Sequence, residues 1–437
     1  MGDTLGSQTI STQLQQIAQR AHQQPELIFN NLYHLIDIAL LREAYRRTRK
    51  DAAPGIDKVT AAMYAKALDD NLKALHQRLR TRRYQAPPVE RYWIHEDTGK
   101  DRPIGMPTFE DKIVQRAVEM LMSAVYGQDF HDFSYGFIKG KSQHQALGVL
   151  RNQLMEGRGC WVVDADVSGF FDNLNRRHLR EFVERRINDG GIKQLIGKWL
   201  KAGVVEDGVI SYPDKGSAQG GVISPLLANI YLHYVLDEWF TNQVKPRMKG
   251  RCFIVRFADD FVIGCEQESD ARRILEVLPK RFARFGLTIH PTKTQLIEFK
   301  KPPHRKDAGS RKSTLNFLGF THYWTRSRRG YWVIKRQTER KRQRRFMTRL
   351  WQWCKKNRHE PLIEQHQMLC AKLRGYYQYY GIRSNYKALE VVFEHAEKAW
   401  RSWLERRSHS CHMYWKRFAE SILSVYPLPK PKLTHGI

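Results

Sequence analysis

Long apolar runs are missing from this sequence. None reaches the roughly twenty residues that cross a bilayer, and the best stretch, LIFNNLYHLIDIALL over residues 27–41, is interrupted by Asn30, Asn31, His34 and Asp37. No membrane partner is expected, and that stretch reads as a buried amphipathic helix. The N-terminal MGDTLGSQTISTQLQQ has neither the basic start nor the apolar core of a secretory signal. Gly6 stands where a myristoylation pattern wants Ser or Thr. Cysteine is scarce: six in 437 residues, at 160, 252, 265, 354, 370 and 411, never as C-x-x-C. That spacing argues against a disulfide framework or a zinc ribbon and suits reduced thiols in the cytosol. His366 with Cys370, and Cys411 with His412, read as ordinary helix-face residues. Negative charge is also short, 45 Asp and Glu against 74 Lys and Arg, which leaves a net charge of +29. A chain so basic attracts polyanions, nucleic acid first and anionic membranes second.

What is present suits a folded protein: 41% hydrophobic and 11% aromatic residues. The length implies two to four packed subdomains. Residues 10–50 read helical, with Leu14, Ile17, Ala18 and Ala21 at helix spacing and a second helix after Pro25. The turn-rich DAAPGID (residues 51–57) separates them from a further helical stretch. A strand–turn–strand pattern over 89–107 precedes helices at 110–127 and 142–156. CWVVDADVSGFFDNL reads as a strand entering a turn, and helical sequence continues to about residue 203. Beyond a loop and a helix rich in Leu, Ala and Tyr come a hairpin at 252–265, a helix at 269–285, and strands at 287–299 and 315–323. From Lys335 the chain is strongly basic with interleaved aromatics and reads all-helical to about residue 423. The tail VYPLPKPKLTHGI reads as mobile. Intermingled helices and strands without repeats define an α+β fold.

Within the hairpin, CFIVRFADDFVIGC is apolar except for Arg256 and the adjacent Asp259 and Asp260. Adjacent carboxylates repel each other and are costly to dehydrate. Alone, such a pair reads as a solvated β-turn. A second acidic group lies upstream in VVDADVSGFFD, where strand alternation puts Asp164 and Asp166 on one face and Asp172 follows. Brought together, these carboxylates would hold Mg²⁺, which takes a few oxygen ligands plus substrate phosphates. Two such ions clamp the attacking and leaving oxygens of a phosphoryl transfer.

DVSGFFD, GSAQGGVISPLLANIYL, RFADDFVI, GLTIHPTKTQ and NFLGF occur in the order of the palm motifs of reverse transcriptases. Upstream, DAAPGIDKVT, RPIGMPTFEDKIVQRAV and SYGFIKGKSQHQAL resemble finger motifs of reverse transcriptases encoded by group II introns, which also act as splicing maturases. The resemblance covers roughly residues 25–325 and the thumb-like LRGYYQYYG. It implies a right-hand polymerase with fingers, palm and an all-helical thumb. Expected boundaries are an N-terminal extension at 1–50, fingers at 51–160, palm at 161–325, thumb at 326–395 and a basic segment at 396–437. That last segment would be a DNA-binding remnant or a thumb extension, with no endonuclease domain. By resemblance, Asp166 and Asp259 are the metal-holding carboxylates, Asp260 a weaker neighbour, and the Val167 carbonyl a further ligand. Phe171 stands where a bulky side chain excludes the ribose 2′-OH. Gln219 and Gly220 pack on the incoming nucleotide, and Arg102 with Lys100 neutralises its triphosphate. Lys293 stands where a lysine is proposed to protonate the leaving pyrophosphate. Phe257, Leu318 and Gly319 would meet the primer end, and Arg340, Lys341, Arg344 and Arg345 the duplex phosphates.

The pattern is departed from in three places: Ala218 for the usual Pro, Phe257 for the usual Tyr, and Ile138-Lys139 for Arg-Pro. None removes a metal ligand. The implied activity is RNA-dependent DNA synthesis from intron RNA with two Mg²⁺ ions (Mn²⁺ substituting), a DNA primer or target DNA, and dNTPs, coupled to a maturase role in splicing. The expected setting is the bacterial cytoplasm, at the nucleoid when acting on DNA. Whether the protein forms a homodimer is left open. Two alternatives stand beside it: a domesticated relative in defence or DNA repair, which would share this chemistry, and an RNA-binding maturase whose polymerase activity is dispensable or lost.

Overall fold

A computed structural model of the chain describes residues 2–95, 101–157, 159–206, 209–212, 220–302, 313–408 and 412–437, without the side chains of residues 2–7, 95, 101 and 102. Helices α1 (Gly2–Gln23), α2 (Ile38–Arg47), α3 (Ala61–Ala65) and α4 (Leu68–Arg80) lead to strands β1 (Val89–His95) and β2 (Asp101–Met106). Helices α5 (Phe109–Tyr126) and α6 (Gln143–Met155) precede β3 (Trp161–Ala165) and β4 (Val167–Ser168). Then come α7 (Arg176–Glu184), α8 (Gly190–Lys201), β5 (Val204–Glu206), β6 (Val209–Ser211) and α9 (Ser224–Leu232), the last continued by π-helical turns at His233–Asp237 and Phe240–Val244. The hairpin β7 (Cys252–Phe257) and β8 (Asp260–Cys265) is followed by α10 (Glu268–Ala283), β9 (Thr288–Ile289) and β10 (Gln295–Glu298). The chain continues with β11 (Thr314–Phe317), β12 (Phe320–Arg326), β13 (Trp332–Thr338), α11 (Arg340–Lys356), α12 (Leu362–Tyr380), α13 (Tyr386–Glu405) and α14 (Trp415–Phe418). The mixture of helices and small sheets agrees with the α+β expectation.

The chain divides into two compact units. The first holds residues 1–142, 163–263 and 267–296. Its centre is α5, buried along most of its length and packed by α1 and α2. One sheet runs β2-β1-β5-β6, with β1 antiparallel to β2 (Tyr92 opposite Ile104) and parallel to β5. The strands that carry the acidic motifs run in the order β10-β3-β8-β7, and a two-stranded ladder pairs β4 with β9. The second unit holds residues 143–162, 264–266 and 297–437. It contains α6, the β11-β12-β13 meander and α11–α14 around Trp400, which is 0% exposed.

Residues 27–41 do not form one helix. Phe29 instead bridges Ile187, its N–H donating to Arg186 O at 2.8 Å and its carbonyl accepting from Asn188 N at 3.0 Å. The Asp189 carboxylate takes the N–H groups of Leu32 and Tyr33 at 2.7 and 2.8 Å, and α2 starts only at Asp37, whose side chain caps Leu40 N. Long-range hydrogen bonds thus override the local apolar pattern. Lys335 lies in β13, not in a helix, because Ile334, Arg336 and Thr338 alternate inward against β12. The tail is docked within the second unit: Thr434 and His435 both donate N–H to Gly381 O, at 2.7 and 3.0 Å, and His435 stacks on His144.

Candidate active site

Strands β7 and β8 are joined by two residues, Ala258 and Asp259. Ala258 takes a φ of +56°, where a side chain is disfavoured and glycine is usual. Such a position persists only where the surroundings over-determine it. The turn leaves Asp259 half-buried and opens β8 with an exposed Asp260. In the neighbouring strand, Asp166 follows the end of β3. Strand β8, which Asp260 opens, is the neighbour of β3 in the sheet.

Asp166 is held on both sides of its backbone. Its carbonyl accepts the His290 N–H at 2.7 Å, and its own N–H meets Thr294 Oγ1 at 3.4 Å. Val167 is buried opposite Ile289 in the β4–β9 ladder. The ladder brings GLTIHPTKT beside DVSGFFD, and Lys293 Nζ reaches Asp166 Oδ2 at 2.8 Å. Asp164 sits deeper, beside Gln295 Nε2 at 3.3 Å, and burial pushes its carboxyl up to about 6. Asp172 is exposed. Among the described residues, Asp166, Asp259 and Asp260 do not bring one ligating atom each within 4.8 Å of one another. His131, His233 and Glu238 do, and there Glu238 accepts from His131 Nε2 at 2.9 Å and from Asn242 Nδ2 at 2.6 Å.

Beneath the Ala258–Asp259 turn lies a buried network that no sequence motif announces. Arg256 on β7 and Asp237, at the end of a π-helical turn, are each 0% exposed and form a two-pronged ion pair at 2.8 and 2.5 Å. Arg256 Nη1 also donates to the carbonyl of Ala258 at 3.0 Å and to Asn229 Oδ1 at 2.9 Å, and Asn229 Nδ2 donates to Gly136 O at 2.7 Å. The segment around Ser134 pairs with β7: Arg256 N donates to Phe133 O and Tyr135 N to Arg256 O, both at 2.9 Å. Gly136 comes so close that a Cβ there would lie 2.2 Å from Ala258 N. One guanidinium therefore ties the carboxylate-bearing turn to α9, to the π-helical turn and to the SYGF motif. The available signal was a charged Arg in an otherwise apolar strand, matched by a single Asp after the apolar helix.

Gly220, at φ +117°, packs on β2, where a Cβ would stand 2.4 Å from Gly105 O. The strand bearing Arg102 is thereby set beside the motif that contains Gln219; Arg102 pairs with Ile94 through its backbone. Lys100 and Gln219 lie outside the described residues, as does Ala218. Phe171 is half-buried against Phe170, with ring centroids 5.4 Å apart. Phe257 ends β7, half-buried.

In the second unit, Leu318 and Gly319 form a two-residue turn with φ of +48° and +77°. The Leu318 carbonyl accepts from Tyr379 Oη at 3.0 Å, and the Gly319 carbonyl accepts Glu339 N–H at 3.0 Å. A Cβ on Gly319 would meet Arg342 and the Tyr380 hydroxyl at 3.0–3.1 Å. On α11 which follows, Arg340, Lys341 and Arg344 are exposed and Arg345 half-buried, along one side of the helix. Among the described residues no helix is long and apolar enough to cross a membrane.

Acidic motifs on adjacent strands of a small sheet, in a strongly basic chain, fit a nucleic-acid polymerase. Residues 94–322 match the family described as "Reverse transcriptase (RNA-dependent DNA polymerase)". The chain belongs to that family and is an RNA-directed DNA polymerase related to group II intron-encoded proteins. It is 36% identical over 288 residues to Protein YkfC of Escherichia coli (strain K12), covering 58% of this chain and 75% of that protein. It is 35% identical over 239 residues to the group II intron-encoded protein LtrA of Lactococcus lactis subsp. cremoris, covering 54% of this chain and 39% of LtrA. A 91 kDa protein in the cob intron of Schizosaccharomyces pombe is 30% identical over 350 residues, 66% of this chain and 42% of that protein. The chain thus spans less than half the length of these two intron-borne relatives.

Proposed function

We propose that this reverse transcriptase copies group II intron RNA into cDNA from a DNA primer, with Asp166 and Asp259 as the metal-holding carboxylates, Asp260 beside them and the Val167 carbonyl as a further ligand. The observation that carries the reading is the Lys293–Asp166 contact at 2.8 Å, which joins two separated motifs beside the strand next to β8. A cation already drawn to Asp166, together with hard oxygen donors, suits Mg²⁺, with Mn²⁺ as a substitute. When bound, two such ions would supply Lewis-acid activation of the primer 3′-OH and charge neutralisation of the departing pyrophosphate.

The chain's own residues do the rest. Arg102 and Lys100 would neutralise the triphosphate, and Gln219 and Gly220 would seat the base pair, with Gly220 letting the backbone approach closely. The Phe171 ring would occupy the space of a ribose 2′-OH. Phe257, Leu318 and Gly319 would position the primer end, and Arg340, Lys341, Arg344 and Arg345 would grip phosphates without reading sequence. Lys293 would be displaced from Asp166 when metal binds and turn its proton toward the leaving group. The fingers, palm and thumb boundaries at 51–160, 161–325 and 326–395 go with this reading. A maturase role would rest on binding folded intron RNA through the same basic surfaces, in keeping with the net charge of +29.

Primer extension on an RNA template with Mg²⁺ tests the proposal. Wild type is expected to extend the primer, and Asp259→Asn to lose at least about 10³-fold in rate. Extension by Asp259→Asn at the wild-type rate would remove Asp259 from the site. The maturase role is tested separately, by adding the protein to a precursor RNA that contains the intron and measuring splicing.

A further inference from the structure

A groove of about 700 Å³ runs along the outer face of α8 in the first unit. The helix is divided cleanly. Gly191, Ile192, Leu195, Ile196, Trp199 and Leu200 are buried, while the groove takes Gly190, Lys193, Gln194, Gly197, Lys198 and Lys201, at helix spacing i, i+3, i+4, i+7, i+8 and i+11. With Arg180, the walls carry four cations against one carboxylate, Glu184. Lys193 is held by Glu184 Oε1 at 3.0 Å and Asn188 Oδ1 at 2.6 Å, and Lys198 donates to the Tyr84 carbonyl. Those two ammonium groups are fixed as part of the walls, whereas Arg180 and Lys201 are exposed.

The glycines need an explanation that packing does not supply. Glycine in a helix interior, as at Gly197, costs up to about 1 kcal/mol relative to alanine, whereas Gly190 opens α8 after the Asp189 cap. A Cβ at Gly190 or Gly197 would nevertheless meet nothing within 4 Å. The absent side chains leave open floor beneath the cations, the form that suits close approach of a ligand backbone. At the rim, Tyr212 is 69% exposed, and its ring lies over Gly203, 3.0 Å from where a Cβ would stand. Cations along an open channel with an exposed aromatic at its edge are the parts of a single-strand nucleic-acid site: phosphates on the cations, a base on the ring.

We propose that the α8 groove binds the sugar–phosphate backbone of single-stranded RNA outside the catalytic carboxylates, with Arg180, Lys193, Lys198 and Lys201 on phosphates and Tyr212 stacking on a base. The choice of RNA as the strand rests on the chain's membership in a family of RNA-templated polymerases.

The test uses the full chain and a fluorescein-labelled oligo(U) RNA, read by anisotropy across a salt series with no dNTP, primer or divalent ion. Because nothing can be polymerised, the groove is read whether or not the catalytic assignment is right. Gly197→Leu, which fills the floor without changing charge, is expected to weaken binding about tenfold. Its melting temperature should stay level or rise, since leucine is the better helix former. Lys201→Glu combined with Arg180→Glu should lower the slope of log K against log salt by about 0.7 for each phosphate no longer neutralised. Tyr212→Ala should weaken binding about fivefold or more with the slope unchanged. Wild-type affinity and slope in the Gly197→Leu and Lys201→Glu/Arg180→Glu proteins, with folding retained, would overturn the proposal. Equal losses against oligo(dT) DNA would overturn the assignment to RNA.

Discussion

Replacing Asp237 by Asn keeps the shape of the side chain and removes the charge that faces Arg256. Both partners are fully buried, so water cannot screen the change, and the guanidinium keeps only neutral acceptors: Asn229 Oδ1, Ala258 O and the new amide oxygen. Breaking a buried ion pair by altering one partner costs about 3–5 kcal/mol. The amide still accepts one hydrogen bond, which places the expected loss near the lower figure, about 3 kcal/mol. For a cooperative unit of 150–250 residues that corresponds to a fall in Tm of about 6–12 °C. Stability alone does not separate a structural ion pair from one that positions the turn. The double substitution Arg256→Met with Asp237→Leu does. An apolar pair of similar volume commonly restores stability, but it cannot donate to the Ala258 carbonyl or to Asn229. Thermal melts followed by circular dichroism, with single-nucleotide incorporation at saturating dNTP, read both consequences. The apolar pair should recover most of the lost stability yet incorporate about 10²-fold more slowly than wild type, because the carboxylate-bearing turn has lost its tether. Wild-type incorporation by the apolar pair would refute the positioning role.

Three further outcomes are expected. Gly136→Ala places a methyl 2.2 Å from Ala258 N, so the turn must shift; incorporation should fall about 10²-fold, measured in the same assay. Phe171→Ala should admit ribonucleotides, raising rNTP relative to dNTP incorporation about tenfold or more in a competition assay. His322 is buried in β12 beside Arg336, and burial depresses it from the usual 6.5 to about 3. Its contribution to stability is therefore complete above about pH 6.5 and is lost as pH falls toward 3, at about 1.4 kcal/mol per pH unit. His322→Gln should flatten urea-unfolding stability between pH 6 and 4 by about that slope.

Much of the fold was legible because its signals are local. The β7–β8 hairpin is short and apolar around a two-residue turn, and α5, α6, α8 and α10 follow the helix period. The site motifs were legible through their order, and the β4–β9 ladder brings two of them into contact as that order implies. Less visible was anything decided at long range. Residues 27–36 are shaped by Asp189 and Ile187, some 150 residues away in sequence. Strand β13 was hidden by Arg336, a charged residue on the buried side, which masks the period-two pattern. The tail seemed mobile because Pro and Lys dominate it, whereas two backbone hydrogen bonds to Gly381 O and the His144–His435 stack fasten it. Arg256 stands out as a charge in an apolar strand, but that signal identifies no role until Asp237, 19 residues away in sequence, is known to be its partner.

The central claim is that Asp166 and Asp259 act as one unit at a single site. A double-mutant cycle on single-turnover incorporation with Mg²⁺ and an RNA template tests it directly. Each of Asp166→Asn and Asp259→Asn should cost at least about 10³-fold, and the double mutant should be no slower than the slower single mutant, because a site that has lost one ligand has little left to lose. Losses that multiply in the double mutant, as independent sites would give, would contradict the account.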